Sequence, residues 1–293
     1  MFLKDLIDRS RQTVSTAYPE REASEMVFIL LEHIAGTKRH THIIEPSYVV
    51  PDEKVTIVEN ACARLASGEP LQYVMGKANF YGRDFHVNPS VLIPRPETEI
   101  LCRAALDLVL KHSERHIKVL DLCTGSGCIA WTMALECPGA EVTAVDISDG
   151  ALEVAGSQCF IEEIERTGAV APNFCKADVL AGPEAFCRPS GSYDLILSNP
   201  PYVMDKEKAL MRPNVLEHEP HLALFVSDED PLVFYRAVAD WACAFLSPDG
   251  TGIVEINEAL GPQTAQVFHE AGFSHAEIMK DFSNRDRFVL FRH

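Results

Sequence analysis

Apolar side chains recur at helical spacing through roughly the first seventy residues. Phe2, Leu3, Leu6 and Ile7 begin one stripe, and a second runs from Pro19 through Met26, Ile29, Leu30 and Ile34 to a stop at Gly36. Pro51 followed by Asp52 and Glu53 has the composition of a first helical turn, and this third helix is expected to end near Ser67-Gly68. Ser47-Tyr48-Val49-Val50 is the one strand-like run here. From Phe80 to Ile93 the period changes: Phe80, Phe85, Val87, Val91 and Ile93, punctuated by Gly82 and Asn88-Pro89, predict a short β-hairpin. Pro94-Arg95-Pro96-Glu97-Thr98-Glu99 then leads into a helix of about fifteen residues through Leu101, Ala105, Leu108 and Leu110.

After residue 116 strand and helix patterns alternate. Strands are predicted at 117–122, 141–146, 173–177, 194–199, 251–256, 276–280 and 287–291, with helical stretches between most of them. Such alternation predicts an α/β fold, a mainly parallel seven-stranded sheet covered by helices on both faces. The last two strands are joined only by Asp281-Phe282-Ser283-Asn284, too short for a parallel crossover, so the final strand is expected to run antiparallel. The implied division is a helical domain over 1–75, a hairpin linker over 76–95 and the α/β domain over 96–293. At 293 residues and 47% hydrophobic content, the chain can build real cores, which argues against disorder.

Charge narrows the function classes. The net formal charge is -17, from 26 basic and 43 acidic side chains. Residues 1–73 hold 8 basic and 11 acidic groups and residues 74–293 hold 18 and 32, so the acidity belongs to the α/β part. A surface of this sign repels phosphate backbones and makes a non-specific nucleic-acid binder a poor expectation. Nine cysteines with no C-x-x-C pair fit neither a disulfide framework nor a zinc site, and point to a reducing, cytoplasmic setting. No run approaches the roughly 18 apolar residues of a membrane span, and the N-terminus lacks a long apolar leader segment.

The predicted strand Val119-Leu120-Asp121-Leu122 runs into Cys123-Thr124-Gly125-Ser126-Gly127 and then a helix. A glycine turn between strand and helix lets backbone approach a ligand at the carboxyl edge of a sheet. Asp146 closes the next strand, nineteen residues past Gly127, the spacing at which a carboxylate reaches a ribose diol. The dinucleotide pattern G-x-G-x-x-G is not met. With Asp121 ahead of it, Thr124-Gly125-Ser126-Gly127 instead resembles the glycine loop of class I (Rossmann-like) methyltransferases, which bind S-adenosylmethionine. These usually carry glycine where this chain has Cys123. In that fold class an acid after the third strand meets the adenine amino group, which makes Asp178, beside Val179, the candidate; a strand-end cap is the competing role.

The fourth predicted strand ends in Asn199-Pro200-Pro201-Tyr202. Two prolines fix φ and remove two N–H groups, giving a rigid segment whose carbonyls are free of helix or ladder. The Asn199 side-chain carbonyl and the Pro200 backbone carbonyl can each accept one hydrogen of a planar –NH₂, with Tyr202 stacking on its face. A nitrogen so held is aimed at an activated methyl, and proximity and orientation supply much of the catalysis. The competing reading is a proline-rich turn. Adenine N6, cytosine N4 and a glutamine amide all fit this clamp. His218 and His221 follow in an expected loop, and no base is needed.

Over nearly its whole length the chain resembles the protein-(glutamine-N5) methyltransferases of peptide-chain release factors, the HemK/PrmC family. The resemblance rests on 71–76, Phe80-Tyr81-Gly82, Leu92-Ile93-Pro94-Arg95-Pro96-Glu97-Thr98-Glu99, the glycine loop, Asn199-Pro200-Pro201-Tyr202, and downstream Glu219-Pro220, Phe234-Tyr235-Arg236, Glu255-Ile256 and Lys280-Asp281. Cys123, Val179 and 227–231 depart from the family pattern. It implies methylation of the Gly-Gly-Gln glutamine of release factors, with S-adenosylmethionine as cofactor, no metal, the helical domain gripping the protein substrate, and Thr98 and Glu99 close to the cofactor. A monomer acting in the cytoplasm, without direct nucleic-acid or membrane binding, is the expected state. Ribosomal-protein glutamine methylation and adenine-N6 methylation of DNA or RNA are the alternatives; a non-catalytic scaffold predicts a damaged loop or clamp.

Overall fold

A computed structural model describes residues 1–110, 116–186 and 192–293; Cys187 lies outside them. The chain divides into two compact units, Met1–Lys77 with Arg212–His218, and Ala78–Met211 with Glu219–His293. No helix among the described residues is long and apolar enough to cross a membrane.

In the first unit α1 (Leu3–Val14), α2 (Glu20–Ala35) and α4 (Asp52–Ala66) are joined by two short helices, α3 (Thr41–Ile44) and α5 (Leu71–Met75). Their apolar stripes bury Leu3, Leu6, Val14, Val27, Leu30, Val58 and Leu65 in one core. Each such side chain contributes about 1.5–3 kcal/mol by leaving water. Gly36 ends α2 at φ 71°, a left-handed cap that glycine adopts without a Cβ penalty. Ser47–Val50 forms no ladder; it contributes one isolated antiparallel bridge, Phe2 to Val49.

The second unit opens with a hairpin, β1 (Lys77–Phe80) and β2 (Arg83–His86), followed by α6 (Thr98–Leu110). The hairpin is earlier and shorter than the sequence suggests. It turns at Tyr81 and Gly82, both at positive φ (51° and 75°), the backbone that suits a two-residue hairpin loop. Val87, Val91 and Ile93 are buried but lie in irregular chain, so burial alone produced their strand-like spacing.

The sheet is built from β3 (Lys118–Leu122), β4 (Glu141–Asp146), β5 (Asn173–Lys176), β6 (Tyr193–Ser198), β9 (Leu246–Glu255), β10 (His275–Lys280) and β11 (Asp286–Arg292), in the order β10-β11-β9-β6-β3-β4-β5. Only β11 opposes the others, pairing antiparallel with both β9 and β10. A small parallel pair, β7 (Val203–Met204) and β8 (Phe225–Val226), lies outside it. Successive residues of a strand face opposite sides. Val119, Leu195 and Leu197 therefore join α6 and α7 (Cys128–Glu136) in one core, while Leu120, Leu122 and Ile196 join α11 (Val233–Phe245) and α12 (Gly261–Glu270) in the other. The strand order reverses between β3 and β6, so the crevice for a ligand opens where the carboxyl ends of these two strands meet.

Candidate active site

Strands β3 and β6 pair in register up to Leu122 opposite Ser198, and the Ser198 hydroxyl donates across to the Leu122 carbonyl at 2.8 Å. The glycine loop and the Asn-Pro-Pro-Tyr segment therefore leave the sheet side by side. They border one cavity of about 190 Å³, lined also by Ser90–Leu92, Arg95, Thr98, Asp146–Ser148, Ala177–Leu180 and Phe234. That volume exceeds ten water-sized positions, at about 10–15 Å³ each.

The loop is shaped by backbone. Cys123 adopts φ 62°, a left-handed conformation that costs a non-glycine residue about 1–2 kcal/mol, which gives a physical reason for glycine there in the wider family. Its thiol is pushed well above the ordinary range, chiefly by burial. Gly125 is at φ 55°, and a Cβ built on it would enter open space within the cavity lining. Gly127 serves a different end. A Cβ there would come within 3.0 Å of Ala155 and 3.1 Å of Trp131, so this glycine permits helix packing and does not border the cavity.

Two carboxylates, one half-buried and one fully buried, support the loop. Asp146 accepts from the Gly125 amide (2.9 Å) through Oδ2 and from the Ser148 amide (2.9 Å) through Oδ1, and it lines the cavity. Burial raises its pKa, opposed by these amides. Asp121 lies beneath the loop, fully buried and outside the cavity lining. Its Oδ2 accepts from the Thr124 hydroxyl at 2.6 Å while Oδ1 has no partner, and burial raises its pKa to about 7. Gln158 ties the loop to the hairpin, receiving from the His86 amide and donating to the carbonyls of His86 and Ser126.

On the far wall, Val179 is buried against the cavity, and its carbonyl accepts from the Trp241 indole at 3.0 Å. Asp178 takes the capping role, its Oδ1 accepting from the Leu180 amide at 2.9 Å, and the residue also lines the cavity. Thr98 also lines it. Glu99 departs from expectation, because its carboxylate accepts from the Tyr81 amide at 2.9 Å and so anchors α6 to the hairpin turn, away from the cavity.

Asn199 and Pro201 border the cavity, with Pro200 buried between them and Tyr202 half-buried and outside the lining. The Asn199 Nδ2 donates to the Thr98 hydroxyl (3.2 Å), Thr98 donates to Glu255 Oε2 (2.7 Å), and the Tyr202 hydroxyl donates to Glu255 Oε1 (3.0 Å). The Tyr202 hydroxyl is thus engaged by Glu255, a contact that the expected stacking role of its ring did not include. Glu255 is 1% exposed, and burial raises its pKa against the pull of Thr98, Tyr202 and Arg287. His218 belongs to a short helix, α10 (Pro213–His218), and His221 to a 3₁₀ turn, not to open loop.

Sequence reasoning gave no role to two participants, Glu255 and Glu219. Glu255 could have been flagged as a carboxylate inside the apolar run Ile253-Val254-Glu255-Ile256. Glu219 holds the cavity edge through a 2.6 Å ion pair from Arg95 and a 3.1 Å bond from the Ile93 amide, although its side chain is 1% exposed. Neither partner is near it in sequence, so no local pattern revealed the pair.

Comparison with known proteins identifies the family. Residues 5–76 match the family model for the PrmC N-terminal domain, and residues 102–221 match that for the methyltransferase small domain. A release factor glutamine methyltransferase of Flavobacterium psychrophilum is 35% identical over 290 residues, covering 99% of this chain and 98% of the relative. One from Bacteroides thetaiotaomicron is 37% identical, covering 95% and 96%. Among solved structures, a SAM-dependent methyltransferase from Agrobacterium tumefaciens gives a TM-score of 0.48 at 17% identity, covering 74% of this chain and 69% of that one. The chain belongs to the release factor glutamine methyltransferase family.

Proposed function

We propose that this chain transfers a methyl group from S-adenosylmethionine to the side-chain amide nitrogen of the glutamine in the Gly-Gly-Gln motif of release factors. The observation that carries the reading is the orientation of Asn199, whose NH₂ is spent on Thr98 and whose Oδ1 is left to accept from an incoming –NH₂. The Pro200 carbonyl, engaged in no helix or ladder bond, would accept the second hydrogen. Two acceptors in one rigid segment hold a planar amide and favour positive charge growing on its nitrogen.

The cavity fits the cofactor. Gly125 leaves open space for close backbone approach, Asp146 would hold a ribose diol, and Ile147 and Val179 would cover an adenine with Asp178 at its amino edge. Bound there, S-adenosylmethionine supplies a methyl already activated by a sulfonium. Residues 1–75 are proposed as the part that recognises the protein substrate, a role supported by exposed Ile43, Ile44, Ile29 and Ile57. Eight free cysteines among the described residues suit the reducing cytoplasm.

The test is incubation with labelled cofactor and, separately, release factors, ribosomal proteins, DNA and RNA, followed by mapping of the methylated site by mass spectrometry. Methyl on the Gly-Gly-Gln glutamine is expected. Label on nucleic acid, with none on any glutamine, refutes the reading. Asn199→Ala should abolish transfer while cofactor affinity falls far less; equal loss of both would mean that Asn199 only shapes the cofactor pocket.

A further inference from the structure

We propose that Glu255 and Thr98 are positioning residues that set the direction of the Asn199 amide, and so decide whether the clamp offers an acceptor or a donor to its substrate. The inference rests on the glutamine-amide reading above. An asparagine amide is nearly the same shape either way round, so its direction is decided by whichever neighbour can donate or accept. Here that neighbour is a hydroxyl with a single hydrogen. Glu255 Oε2 takes that hydrogen at 2.7 Å, which leaves Thr98 only lone pairs to offer, and the Asn199 Nδ2 donates to one of them at 3.2 Å. The Asn199 oxygen is then the end left for the substrate.

The second Glu255 oxygen holds the Tyr202 hydroxyl at 3.0 Å, so one carboxylate braces both ends of the Asn-Pro-Pro-Tyr segment. It is well placed to do so. Glu255 lies on the last residue of β9, beside β6, and β6 delivers Asn199. Tyr202 is held from the other side as well, its carbonyl accepting from the Asn257 Nδ2 at 3.1 Å.

The polarity of the chain depends on Glu255 being ionised. Once protonated, Glu255 can donate to Thr98, whose hydrogen then turns toward Asn199 and favours the reversed amide. Burial raises the Glu255 pKa; Thr98, Tyr202 and Arg287 lower it and Glu97 raises it, while Tyr235, Cys102 and Cys128 face it from α11, α6 and α7. The methyl-transfer rate should therefore fall as pH drops through that raised pKa.

The experiment compares wild type with Thr98→Val, Thr98→Ser and Glu255→Gln in the full chain. Methylation of release factor gives kcat and KM across pH, calorimetry gives cofactor affinity, and nitrogen-15 NMR gives hydrogen exchange of the Asn199 side-chain amide. Removing a hydrogen bond to a charged relay should lower kcat/KM about tenfold to a hundredfold in Thr98→Val and Glu255→Gln, with a much smaller change in cofactor affinity. Thr98→Ser, which keeps the hydroxyl, should recover most of that loss, and Glu255→Gln should lack the acidic limb seen in wild type. The Asn199 amide protons should exchange slowly in wild type and Thr98→Ser and quickly in Thr98→Val. The relay is refuted if Thr98→Val keeps wild-type kcat/KM, if Thr98→Ser is as damaged as Thr98→Val, or if amide exchange is the same in all. Wild-type enzyme that leaves every glutamine unmodified overturns the substrate reading instead, and the exchange data would still judge the relay.

Discussion

Asp121 offers a direct test of how burial and charge are balanced beneath the glycine loop. It is fully buried, one oxygen is without a partner, and its pKa is raised to about 7 from an ordinary 3.8. Between those values the unfolded chain has lost this proton and the folded chain keeps it. Stability then falls as pH rises, by about 1.4 kcal/mol per pH unit. Over about three units the loss approaches 4 kcal/mol. It is complete once the pH passes the folded pKa, and the full stability is present below the unfolded one. Asp121→Asn removes the equilibrium while keeping an oxygen for the Thr124 hydroxyl. The assay is urea unfolding from pH 4 to 8, read by fluorescence. Both tryptophans, Trp131 and Trp241, belong to the α/β unit, so the signal reports that unit. Asp146 and Glu255, also raised by burial, titrate in both proteins and largely cancel in the difference. The variant should gain steadily on wild type between about pH 4.5 and 7 and then level off. Parallel curves, within about 0.5 kcal/mol throughout, would mean that Asp121 is ionised in the folded state and that its burial is compensated by groups not identified above.

Cys123→Gly should be more stable than Cys123→Ala by about 1 kcal/mol, because both lose the thiol but only glycine accepts φ 62° without strain; equal midpoints in thermal unfolding would show the loop is relaxed as it stands. Arg95→Ala should cost roughly 1–3 kcal/mol and weaken cofactor binding by calorimetry, since it strands the buried Glu219 carboxylate. Pairing Arg95→Met with Glu219→Gln should restore much of that stability, and no recovery would point to lost Arg95 packing.

The fold was legible because its determinants are local. β4 was bounded to the residue, and the Gly36 and Ser67 helix ends were signalled by the residues that form them. The glycine loop and Asp146 were legible for the same reason: their spacing follows from one strand-turn-helix-strand passage. What escaped was non-local. Thr98 meets Glu255 across 157 residues and Asn199 across 101, and Arg95 meets Glu219 across 124. No periodicity carries such pairings. The hairpin was displaced for the opposite reason, since Val87, Val91 and Ile93 are buried in irregular chain and burial mimicked alternation. Gly127 was read as part of a ligand loop and is instead required by Trp131 and Ala155.

The bond from Ser198 to the Leu122 carbonyl has a mechanical meaning. Strand ends ordinarily fray, opening with far less free energy than the centre of a sheet. Here the two fraying ends carry, on one strand, the loop that borders the cavity proposed for the cofactor and, on the other, the segment proposed to hold the acceptor. A one-residue slip between them would shift one by about 3.3 Å relative to the other, comparable to the whole gap across which the methyl must pass. The serine acts as a rivet at the point of greatest leverage, converting the register of two strands into a gauge for bond-forming distance.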